Sequence, residues 1–93
     1  MQNPQVRNQE LFRRANERLG ELVVDRVPSD GPVPFLCECA DGECTDTVAL
    51  TLDELARVHA HPRRFVVLRG HRLVAGERVV ERRDGYCIVE KDA

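Results

Sequence analysis

Behind Asn3-Pro4, the apolar residues Leu11, Phe12, Ala15, Leu19 and Leu22 recur at helical spacing. Asn suits an N-cap, and Pro suits the first turn, where its missing N–H costs nothing. The spacing predicts one amphipathic helix from Gln5 to about Val23, with that stripe turned inward. Arg7, Arg14, Glu17, Arg18 and Glu21 would form its solvated face. "VPSDGPVP", residues 27–34, holds three prolines and a glycine and reads as a loop.

The period then changes to two. Side chains alternate along a strand, so Phe35, Cys37 and Cys39 share one face. "ADGE", residues 40–43, is a turn between extended runs, which predicts a hairpin. With Cys39 opposite Cys44, the residues Cys44, Asp46, Val48 and Leu50 join that same face. Phe35, Val48 and Leu50 would then line the core, and three thiols would meet at the hairpin's tip. "TLDE" is a capping box, with Thr51 as cap and Glu54 reaching back. It opens a short helix to about Ala60, which Pro62 ends. "RFVVLRG" reads as a buried strand. "RVVERRDGYCIVEK" reads as a hairpin turning at Asp84-Gly85. The order predicts one small α+β domain over residues 1–93, with a mainly antiparallel sheet. Its parts are a helix at 5–23 and, over 34–91, the cysteine hairpin, a short helix, a strand and a second hairpin.

A chain of 93 residues can bury only a modest share of its surface, so a metal or crosslink would add noticeably to its stability. The formal net charge of −2 favours no polyanionic partner. Seven acids and no Lys or Arg lie within 27–56, whereas five arginines and no acid lie within 55–76. Two solvated faces that neutralise each other account for this. A surface that docks a partner is the sharper reading. Nucleic-acid binding would need aromatic stacking on a basic face, and the arginine segment offers only Phe65, which should be buried. No apolar run is long enough to span a bilayer, and no apolar segment follows the N-terminus, so a cytoplasmic protein is expected.

In that compartment, three thiols within eight positions read as metal ligands or redox groups before they read as a structural disulfide. Neighbouring sulfurs around a tetrahedral zinc lie about 3.8 Å apart. Residues i and i+2 on a strand lie about 6.6 Å apart, so Cys37 and Cys39 must converge at a strand end or a bulge. A closed site needs a fourth ligand. His71 follows a strand end behind Gly70 and stands first. His61 is second. Cys87 is the remaining thiol, but it shares a strand face with Val89 and is expected in the core. An iron–sulfur cluster would require Cys87 to join the other three. His59 and His61 end the second helix, where they complement its dipole, and His59→Ala is expected to do little. Asp46, opposite Cys37, is placed to support the ligands.

"FLCECADGEC…LTLDEL…HPRRFVVLRGH…RVVE" resembles a group of short uncharacterised proteins of high-GC bacteria. Their pattern joins F-x-C-E-C, a third Cys, an L-T-x-x-E helix start and a P-G-H after a strand. The similarity covers most of the chain. It implies Cys37, Cys39, Cys44 and His71 as the shared polar set, leaves Cys87 outside it, and carries no activity. This sequence has Arg69-Gly70-His71 where the pattern has Pro-Gly-His. The expectation is a non-enzymatic domain with a structural Cys3His site for Zn2+, acting as a regulatory or interaction module for a protein partner. The alternative is a thiol redox sensor that releases zinc on oxidation, since residues paired across strands are close enough for a disulfide.

Overall fold

The computed structural model describes residues 4–39, 41, 43–71, 73 and 75–92. Asn3, the expected N-cap, lies outside them, as do Ala40 and Gly42 of the expected turn. The elements run α1 (Pro4–Val23), β1 (Val33–Leu36), β2 (Thr47–Leu50), α2 (Leu52–His59), β3 (Arg64–Leu68), β4 (Glu77–Arg83) and β5 (Tyr86–Lys91). This is an α+β fold with two antiparallel sheets, β1-β2 and β3-β5-β4. Val33 and Pro34, expected in the loop, begin β1 instead. Pro34 is tolerated there because β1 pairs on one side only, with Ala49 as its partner.

The register of the first hairpin is the one that alternation demands, with Phe35 opposite Val48 and Leu36 opposite Thr47. Val33, Phe35, Val48 and Leu50 are buried together with Leu55 and Val58 of α2 and Val66, Tyr86 and Ile88 of the larger sheet. The other face of that sheet carries Phe65, Val67, Cys87 and Val89. Burial on both faces explains the unbroken apolar run in β3. The Asp84-Gly85 hairpin forms as expected, with Gly85 at φ +86.

The capping box of α2 is complete. Thr51 Oγ1 accepts from the Glu54 N–H, and Glu54 Oε1 accepts from the Thr51 N–H at 2.8 Å. That N–H, aided by the Tyr86 hydroxyl, holds the Glu54 carboxyl below its ordinary range. Burial and the same bond push Tyr86 up to about 12.

Helix α1 corrects the expectation drawn from its apolar stripe. Leu11 and Leu22 are 60% and 57% exposed, and Ala15 also faces solvent, whereas Gln9 and Asn16 are fully buried. The inward face is largely polar because α1 docks on backbone groups. Asn16 Oδ1 accepts from the Leu36 N–H and Asn16 Nδ2 donates to the Leu36 carbonyl, both at 2.8 Å. Arg13 donates to the carbonyls of His59 at 2.6 Å and Pro62 at 2.7 Å, covering the C-terminus of α2. Gln9 donates to Glu77 and accepts from Lys91. Phe12, Leu19 and Val23 are half-buried on the same side.

Candidate metal centre

Strand β1 stops at Leu36, so Cys37 and Cys39 lie just beyond the last paired residue, where the chain is free to bring two thiols together. One further ladder-like bond, Cys37 N–H to the Asp46 carbonyl at 3.0 Å, carries the hairpin register past the strand end. Cys44 follows the turn, its N–H bonded to the Asp41 carbonyl at 3.1 Å. From the other side comes the turn after β3. The His71 N–H bonds the Leu68 carbonyl at 3.3 Å, and Gly70 takes φ +90 at the third position. A side chain would strain that position. Arg69 stands second in the turn, a position that Pro also fills well, so Arg there leaves the turn intact.

These segments bring Cys37, Cys39, Cys44 and His71 together, with one donor atom from each lying within 4.8 Å of all the others. His71 Nδ1 is 3.4 Å from Cys37 Sγ, and its Nε2 is 3.0 Å from Asp46 Oδ2. Cys37 Sγ accepts the Leu68 N–H at 3.2 Å. Cys37 and Cys39 are buried and Cys44 is half-buried. Burial, foremost, pushes the Cys37 thiol well above its ordinary range, and the neighbouring thiols add to that. Burial raises Cys39 in the same way. Such a cluster could hold a metal ion: three soft donors and an imidazole converge, and the ion would displace the thiol protons.

The other candidates do not join these four. Cys87 is buried in the same core cluster as Cys37 and Cys39, among Phe65, Val67 and Val89, but is not one of the residues whose donor atoms converge. His61 is exposed and lines a separate cavity with Arg57, Arg64 and Tyr86. Cys87→Val exchanges one small buried side chain for another, so it should retain metal and cost less than about 1.5 kcal/mol. A metal-free Cys87→Val protein would make Cys87 a ligand.

Two residues near the site were not foreseen. Glu38, between the first two cysteines, is fully buried. Its Oε2 lies 2.8 Å from both Asn16 Nδ2 and His59 Nε2, and its Oε1 accepts the Val66 N–H at 3.0 Å. His59 is therefore not a solvated helix end. Its side chain is 6% exposed and bridges Glu38 and Glu17. Alternation gave no signal for Glu38, since it puts that residue on the face of the exposed Leu36, opposite the core-lining Phe35.

Comparison with protein-family models, curated proteins and solved structures found no match. Fold and site together define a small α+β domain whose Cys3His cluster could hold a metal ion. No helix among the described residues is long and apolar enough to cross a membrane.

Proposed function

We propose that this chain is a non-enzymatic zinc-binding domain with a closed, structural Cys3His site formed by Cys37, Cys39, Cys44 and His71. It would serve as a protein-interaction or regulatory module of the cytoplasm. The observation that carries the reading is the orientation of His71. One ring nitrogen faces the thiols while the other is held by Asp46, the carboxylate–histidine arrangement that fixes a metal-ligating ring. Zinc is favoured over an iron–sulfur cluster because the fourth donor is an imidazole and Cys87 stays in the core. The upward shift of two thiols is opposite to that of an activated nucleophile, which supports a non-catalytic site. Elemental analysis should find about one zinc per chain. Stoichiometric iron with visible charge-transfer absorption would overturn the assignment.

One observation favours the redox reading as a second role of the same site: Cys44 is the ligand thiol that reaches solvent. Hydrogen peroxide would take two electrons from the Cys39 and Cys44 thiolates and, with two protons from solvent, leave a disulfide and two waters while zinc departs. Zinc retained with all thiols titratable after peroxide treatment would remove that role.

A further inference from the structure

Glu38 has no place in the ligand set, yet it is the most constrained acid near it. We infer that Glu38 is the positioning residue of the metal site: held from α1, α2 and β3, it aims Cys37 and Cys39 at the ion. The inference rests on the metal reading above.

The geometry is that of a lever. Cys37 and Cys39 give their sulfurs to the cluster with His71, while the Glu38 carboxyl lies against Asn16, His59 and Val66. Fixing the carboxylate therefore fixes where both sulfurs point. Glu38 grips Val66 of β3 twice, through its N–H to the Val66 carbonyl at 2.7 Å and through Oε1 to the Val66 N–H. Asn16 of α1 and His59 of α2 hold the second oxygen. Two residues along β3 from Val66, the Leu68 N–H meets Cys37 Sγ itself. The Cys-x-Cys segment is thus locked to β3 on both of its sides.

Why should a carboxylate be buried here at all? Burying a polar side chain costs a few kcal/mol unless hydrogen-bond partners replace the solvent, so an apolar residue would serve packing better. The chemical need lies with the thiols. Their sulfurs must approach to about 3.8 Å around zinc, closer than strand geometry gives. A segment left free would have to lose conformational freedom on every binding event. A segment already held at its middle residue loses less.

The test uses Co2+ as a spectroscopic probe on the full chain, comparing wild type, Glu38→Gln, Glu38→Ala and Val58→Ala. Val58 is buried in the other core cluster and gives Glu38 no hydrogen bond, so its truncation lowers stability without removing a partner of Glu38. Glu38→Ala should weaken Co2+ binding about tenfold to a hundredfold, the range found when groups supporting metal ligands are removed. Its ligand-field bands should shift as the sulfur geometry relaxes. Glu38→Gln keeps the acceptor for the Val66 N–H and should fall between Glu38→Ala and wild type. If Glu38→Ala does not fold, the Gln variant decides alone. Val58→Ala should melt lower while keeping wild-type Co2+ affinity and bands. Glu38 variants that only melt lower, with affinity and bands unmoved, would overturn the inference. Wild-type protein that takes up no Co2+ with its thiols intact would overturn the metal reading instead.

Discussion

If the proposed zinc site is filled, stripping the metal with a chelator is expected to lower the melting temperature by on the order of 20 °C or more. A domain of 93 residues has a total stability of roughly 5–15 kcal/mol, and a structural zinc can supply about 10 kcal/mol of apparent binding free energy. The ligands come from two segments, the tip of the β1-β2 hairpin and the turn after β3, with α2 between them in the chain. A bound ion would close that stretch on itself. His71→Ala should reproduce part of the loss without chelator, because it opens the fourth position to water and frees Asp46 from its 3.0 Å contact. Retention should also fall with acid. The buried Cys37 and Cys39 hold their protons more tightly than ordinary thiols, so each fall in pH makes the ion's competition with protons harder. Thermal melts with and without chelator test both statements. Equal melting temperatures for wild type and His71→Ala would remove His71 from the site.

His59→Ala is expected to cost about 1–3 kcal/mol, or roughly 5–20 °C, even with metal saturating. This reverses the expectation from the sequence, where His59 only complemented a helix dipole. The Glu38 carboxylate is fully buried, and His59 Nε2 lies 2.8 Å from it. Removing a partner from a buried carboxyl leaves a polar atom less satisfied, for which about 1–3 kcal/mol is typical, and more for a charged group. Asn16 and the Val66 N–H remain as donors and keep the cost at the lower end. His61→Ala, on an exposed ring, should stay near wild type. Urea titrations of the two variants compare them directly. A His59→Ala protein as stable as His61→Ala would mean that Asn16 and Val66 satisfy Glu38 alone.

What could be read in advance followed from short-range geometry. A period of two fixed the facing of Phe35, Cys37 and Cys39 and of Asp46, Val48 and Leu50. The turn between them set the register, and with it the meeting of the thiols. His71 was legible from Gly70, since a chain that bends sharply after a strand places the next side chain at the strand's end. The polar seat of α1 was not legible. Gln9, Arg13 and Asn16 find their partners 20 to 82 residues away, and most of those partners are backbone groups that carry no mark in a sequence. An apolar stripe is a good guide to the buried face only when the opposing surface is apolar. Glu38 was missed for a related reason: a carboxylate in an acid-rich stretch looks solvated until its donors from three other elements are known.

The way α1 is seated also bears on how the protein should respond to temperature. Leu11 and Leu22 lie in solvent while the helix is docked, and hydrogen bonds from Gln9, Arg13 and Asn16 hold it alongside the partly buried Leu19 and Val23. Lifting α1 away would therefore uncover less new apolar surface than opening the sheets would. Exposure of apolar surface raises the heat capacity and exposure of polar surface lowers it, so detachment of the helix has a small heat-capacity change and unfolding of the sheets a large one. Hydrophobic burial weakens on cooling. Cold should accordingly loosen the apolar core beneath β3 and β5 before it loosens the grip on the N-terminal helix.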